Sequence, residues 1–119
     1  MSIELAGEPV FNGICHCANC KARTGSAFGW SVYFPNDRLL ATHGAPRVYA
    51  FQSASGPQAR RFCGDCGTTL FWDSAAFPGV VGVAGGCFAA PGPGEPTLSA
   101  SESGRCPWLA LPEPWRRAP

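Results

Sequence analysis

Three cysteines stand between positions 15 and 20, in the run Cys15-His16-Cys17-Ala18-Asn19-Cys20, and two more in Cys63-Gly64-Asp65-Cys66-Gly67. Thiolates spaced by one or two residues converge on a single point, and soft divalent metals are bound best by such a donor set. The second run has the Cys-x-x-Cys-Gly form of a zinc knuckle, in which glycine lets the turn tighten and leaves backbone amides free for the sulfurs. The first run brings three thiolates from one short loop. A fourth tetrahedral position is then left for another protein ligand, a water or a substrate thiol, and an open position distinguishes a catalytic zinc from a structural one. The same three cysteines also suit a closed structural zinc site or an iron–sulfur cluster.

The neighbours of the first run are weighed the same way. His16 lies between two ligands, where its side chain must point away from the point the backbone wraps, and it reads as a loop histidine rather than a ligand. Lys21 and Arg23 follow the loop and are candidate partners for the carboxylates of a peptide-like thiol, although solvated surface charges are the commoner outcome. Thr24, Gly25 and Ser26 are candidates to line a pocket beside the loop, or form an ordinary turn. Cys87 and Cys106 have no partner at ligand spacing and read as buried or half-buried thiols. The tryptophans and phenylalanines read as core.

These loops need a scaffold, and composition limits what it can be. The 119 residues suffice for one small domain spanning the chain and are too few for two. Nine basic against eight acidic residues leave a net charge of +1, with Arg60-Arg61 and Arg116-Arg117 the only adjacent basic pairs, which argues against a nucleic-acid partner. The segment from Met1 to Phe11 carries Glu4 and Glu8 and lacks the charge and apolar regions of a leader, and no apolar run reaches membrane-spanning length. The chain is therefore expected in the cytoplasm, where closely spaced cysteines are metal ligands more often than disulfides.

Fifteen glycines and twelve prolines interrupt short β-branched and aromatic runs and leave no room for a long helix, so a mostly β fold is expected. Phe28 to Phe34 alternates in the manner of a half-buried strand, with Phe28, Trp30, Val32 and Phe34 on one side. Strands are also expected at Arg47 to Phe51, Arg60 to Cys63, Thr68 to Trp72 and Val80 to Val83, separated by turns at Pro35-Asn36-Asp37, His43-Gly44, Ser55-Gly56-Pro57 and Phe77-Pro78-Gly79. Ala18 to Arg23 has helical propensity for a turn or two before Thr24-Gly25. Pro91 to Pro96 reads as a surface loop, and the tail from Pro107 as extended chain held down by Trp108 and Trp115.

Taken together, Gly7-Glu8-Pro9, Cys15-His16-Cys17-Ala18-Asn19-Cys20-Lys21, Thr24-Gly25-Ser26-Ala27-Phe28 and Phe62-Cys63-Gly64-Asp65-Cys66-Gly67-Thr68-Thr69-Leu70-Phe71 resemble the glutathione-dependent formaldehyde-activating enzyme family, which also contains centromere protein V. The likeness runs from Glu4 to Trp115. It implies a single domain of coiled, mostly antiparallel sheets with little helix and two zinc sites. One is catalytic, at Cys15, Cys17 and Cys20; the other is structural, at Cys63 and Cys66 with a Cys-x-Cys-Gly pair on the first strand. The sequence departs from the pattern there, because no cysteine precedes Cys15. Cys63 and Cys66 are thus expected to be a half-site, or to complete a four-cysteine site with the first group.

The resemblance further implies a carbon–sulfur lyase that joins a thiol such as glutathione to formaldehyde or a similar small aldehyde. The chemistry is coherent with the cysteines, since zinc bound by three thiolates is a mild Lewis acid that stabilises a fourth, still nucleophilic thiolate. Two other functions suit the same residues. A non-catalytic zinc module that binds a partner predicts a closed metal site, and a thiolate sensor of metal or oxidant predicts zinc release on mild oxidation without turnover.

Overall fold

A computed structural model describes residues 1–119. The fold is mostly β, with 43% of residues in strands and a single α-helix. An eight-stranded sheet carries the chemistry. Its centre is β2 (Phe11–Cys15), β3 (Gly29–Pro35) and β8 (Val80–Ala84), continued on one side by β7 (Thr69–Ser74), β6 (Gly56–Phe62) and β5 (Arg47–Ser53). On the other side β9 (Leu98–Ala100) and β10 (Arg116–Arg117) run parallel to β2, whereas the remaining pairs are antiparallel. A separate ribbon pairs β1 (Ser2–Leu5) with β4 (Leu39–His43). No helix is long and apolar enough to cross a membrane.

Side chains alternate between the two faces of each strand, so the cross-strand register assigns every residue to one face. Val32, Phe34, Phe71, Val81 and Val83 fall on one face and form the core, against which Ile3, Leu5 and Leu39 of the ribbon and Phe88 pack. The opposite face carries a continuous row: Arg60 faces Trp72, Trp72 faces Gly82, Gly82 faces Tyr33, and Tyr33 faces Phe11. Gly82 is required where it stands. A Cβ there would come within 2.2 Å of Trp72 Nε1, so the bare backbone is what lets the indole lie flat across β8 and donate to the Tyr33 hydroxyl at 3.2 Å.

The expected strands are present, and the expected turn at Pro35-Asn36-Asp37 is a 3-10 turn over Asn36–Arg38. Three expectations are corrected. The strand over Phe28 to Phe34 is covered on both faces, since Gly29 and Ser31 are as buried as Val32 and Phe34; the second face is roofed by the helix and the row of aromatics. Trp108 does not hold the tail, being 74% exposed. The tail is instead secured by Trp115, whose indole donates to Glu95, and by backbone bonds from Arg116 to Thr97 and from Ala118 to Ser99. Cys87 is exposed rather than buried.

Phe34 is 4% exposed and stacks on Phe88 with ring centroids 6.1 Å apart. Truncation to alanine leaves a cavity that the β1–β4 ribbon cannot close. Phe34→Ala is expected to cost about 3–5 kcal/mol of unfolding free energy, read from urea denaturation curves.

Candidate active site

The thiol loop starts where β2 ends. Cys15 is the last residue of β2, facing Gly29 on β3 and Ala100 on β9. The chain then enters the short helix α1 (Ala18–Thr24), for which Cys17 is the N-cap: its backbone is extended and its Sγ accepts the Cys20 N–H at 3.3 Å. Gly25 ends the helix in a left-handed conformation, donating its N–H to Lys21 O at 2.7 Å. One helical turn separates Cys17 from Cys20, and another separates Cys20 from Arg23, so all three project from the same side of α1.

The Sγ atoms of Cys15, Cys17 and Cys20 lie within 4.8 Å of one another, and no other Cys, His, Asp or Glu joins them at that range. Crowding decides how they ionise. A hydrogen bond from Cys20 is the largest of the effects that pull the Cys15 thiol down to about 5, against the opposing effect of burial, while the same contact and burial drive the Cys20 thiol up. The trio thus retains a proton that shields sulfur from sulfur. A divalent cation would relieve the same repulsion, and tetrahedral ligands 2.3 Å from zinc are about 3.8 Å apart, inside the 4.8 Å limit that the three sulfurs keep. The donor set fits such an ion.

The sulfurs open onto a cavity of about 360 Å³ on the row face of the sheet. Phe11, Tyr33, Trp72 and Phe77 supply its apolar wall, and Asn19, Gln58, Arg23 and Arg60 its polar one. Asn19 latches α1 to β6, donating to Gln58 Oε1 at 3.0 Å and accepting from Arg60 through Oδ1. Arg23 lies with its guanidinium 4.0 Å above the Trp72 ring, and its Nη2 is buried without a partner. Gly29 makes that placement possible, because a Cβ there would stand 2.5 Å from Arg23 Nη2 and 3.1 Å from Cys20 Cβ. Burial raises the Tyr33 phenol, so it keeps its proton at neutral pH.

A second layer braces the loop from behind. His16 is 1% exposed and turns away from the sulfurs, with Nε2 2.8 Å from Ser99 Oγ; Ser99 in turn donates to Glu102 Oε2 at 2.6 Å. Since the serine proton is committed to the carboxylate, Nε2 donates to the serine oxygen, while burial holds the imidazole below its usual range. Glu102 is clamped by Arg105 at 3.2 Å and Arg117 at 3.6 Å. Between Ser99 and Glu102, Ser101 adopts φ 55°, a left-handed backbone that costs an L-residue about 1–2 kcal/mol. Its Oγ lies 3.5 Å from Cys15 Sγ.

Of the residues singled out from sequence, Cys15, Cys17, Cys20 and Arg23 line the cavity. Lys21 does not, its Nζ being bound to Gly104 O at 2.6 Å. Thr24, Gly25 and Ser26 lie outside it; Thr24 Oγ1 is turned back to the carbonyls of Cys20 and Phe28. Cys63 and Cys66 belong to a tight turn closed by Gly67 N to Cys63 O at 2.8 Å, and they do not complete the first cluster. Tyr33, Trp72, Arg60 and Ser101 escaped sequence reasoning. Residue type alone places Trp72 in the core, and Ser101 carries no local signal at all.

The carboxyl of Glu102 is held below its ordinary range, chiefly by the Ser99 hydroxyl and then by Arg105 and Arg117. Such a group stabilises the fold above the unfolded value, about 4.3, and loses that contribution as pH falls through the lower native value. The stability gap between wild type and Glu102→Gln is therefore expected to be steady near neutrality and to close in acid, as followed by urea midpoints across pH. A gap that widened in acid would contradict the assignment.

No individual curated protein matches the chain. The sequence model of the glutathione-dependent formaldehyde-activating enzyme family, by contrast, matches residues 1–102, a span that takes in both cysteine runs, the aromatic row and Ser101. The chain belongs to that family.

Proposed function

We propose that the protein is a zinc-dependent enzyme of the carbon–sulfur lyase type, catalysing reversible addition of a thiol such as glutathione to formaldehyde or a similar small aldehyde. The observation that carries this reading is the thiol cluster at the head of a cavity. Three sulfurs without a fourth Cys, His or carboxylate donor face a space lined by the Arg23 guanidinium and aromatic rings. A non-catalytic module would call for a closed ligand shell. Cys15, Cys17 and Cys20 would hold the zinc, which supplies a mild Lewis acid able to keep an incoming thiol ionised near neutral pH.

The remaining work falls to side chains. Arg23, which lines the cavity with its guanidinium stacked on Trp72, is the cation we assign to a carboxylate of the thiol. Trp72, Tyr33 and Phe11 exclude water from the sulfur side of the cavity. As the C–S bond forms, the carbonyl electron pair moves to oxygen, which needs a proton; the thiol has already released one, so the overall addition is proton-neutral. Tyr33 accepts from Trp72 and retains its own O–H, and it is the donor we assign to that oxygen. Cleavage of the adduct reverses each step.

We read Cys63 and Cys66 as a metal half-site, a reading supported by their lying outside the one group of three or more metal-type donors, at Cys15, Cys17 and Cys20. We place the reaction in the cytoplasm, where free thiols persist.

Exchange among formaldehyde, glutathione and their adduct, followed by NMR, tests the reading. Wild type is expected to accelerate exchange, to retain one zinc per chain after mild chelation, and to lose both properties as folded Cys17→Ser. Equal exchange in the two proteins, or no acceleration over the free reaction, would leave the binding module as the better account. Arg23→Gln separates recognition from chemistry. It is expected to lower kcat/KM for glutathione about tenfold or more, the value of a charge-assisted hydrogen bond, while leaving 2-mercaptoethanol, which has no carboxylate, nearly unaffected.

A further inference from the structure

Among the residues with left-handed backbone, Ser101 is the one that is not glycine; eight glycines occupy the other such positions. Glycine would adopt φ 55° without strain, so the serine at this point is retained against a conformational cost. An ordinary explanation would be helix capping, because Ser101 immediately precedes the 3-10 turn Glu102–Gly104. That explanation fails here, as its side chain makes no cap hydrogen bond. The only partner of its hydroxyl is Cys15 Sγ at 3.5 Å, and the residue lines the cavity.

The surroundings impose the conformation from both sides. Ala100 is locked opposite Cys15 by the parallel β2–β9 register, with His16 N–H donating to Ala100 O at 3.1 Å. Beyond it, Glu102 N–H donates to Ala118 O at 2.9 Å and Gly104 N–H returns to Ser101 O at 3.0 Å. The chain must therefore turn sharply at position 101, and the left-handed turn aims Cβ at the thiol cluster.

We infer that Ser101 is a positioning residue of the cluster: its hydroxyl donates a hydrogen bond to the Cys15 sulfur when that sulfur is ionised as a metal ligand, and the left-handed backbone serves to aim it. The inference rests on the proposed reading of Cys15, Cys17 and Cys20 as ligands of a divalent metal. Groups that hydrogen-bond to first ligands tune metal affinity and the electronic properties of the bound ion.

Ser101→Gly separates this role from a structural one, because it removes the hydroxyl while relieving the strain. The probe is Co(II), titrated in competition with a chromophoric chelator and followed by the sulfur-to-cobalt absorption band, alongside thermal melting of the metal-free proteins. Ser101→Gly is expected to melt at or above the wild-type temperature, yet to bind Co(II) about tenfold more weakly, with the band displaced to lower energy. Ser101→Ala should show the same weakening and band displacement with a lower melting temperature. Equal affinity and an unmoved band in Ser101→Gly would overturn the inference while leaving the metal site standing. Weaker binding accompanied by a lower melting temperature in Ser101→Gly would reduce Ser101 to a structural residue. Failure of wild type itself to bind Co(II) would remove the metal reading, and this inference with it.

Discussion

Sulfur crowding is the constraint from which the rest of this structure follows. Three thiols held within 4.8 Å repel one another as soon as a second one ionises, and a loop free to relax would spread them. The fold prevents relaxation at every point of the run. Cys15 is fixed in β2 between two neighbouring strands, Cys17 is committed to capping α1, and Cys20 sits one turn along that helix. Between them His16 is driven inward as an anchor, buried against Ser99 and, through it, Glu102. A histidine between two cysteines thus serves the site by pointing out of it.

The sheet divides its labour by face. One face carries the aliphatic and aromatic core beneath the β1–β4 ribbon, and the other carries the row from Arg60 to Phe11 that walls the cavity. Because the strands are common to both, the core that stabilises the protein also sets the spacing of the row. Gly82 shows the coupling in a single residue: it pairs with Tyr33 and Trp72 in the ladder and, by lacking a side chain, lets the indole reach across to the phenol.

How much of this was legible in the sequence depended on how local each feature is. Cysteine spacing is local, and the run from Cys15 to Cys20 announces a point of convergence without any fold. So are the helix stop at Gly25 and the alternating strand of Trp30, Val32 and Phe34. By contrast, β2 reads Phe-Asn-Gly-Ile-Cys and β9 is three residues long, too weak a signal for either to be recognised as a strand. Their parallel pairing, which brings Ser99, Ser101 and Glu102 behind the cysteines, left no trace in spacing or composition. Aromatics defeated composition for another reason. A cavity wall and a core want the same residue types, so alternation separates Tyr33 from Phe34 and Trp72 from Phe71, but which face is core and which is cavity emerges only from the cross-strand register.

The brace and the loop that it holds are 83 residues apart along the chain, as His16 and Ser99 illustrate. On a ribosome adding 5–20 residues per second, the cysteines are made about 4–17 s before the serine that anchors their histidine. For that interval the thiol trio exists without the strand that will secure it, which has yet to be synthesised. The order of synthesis therefore makes the thiol run early and its brace late.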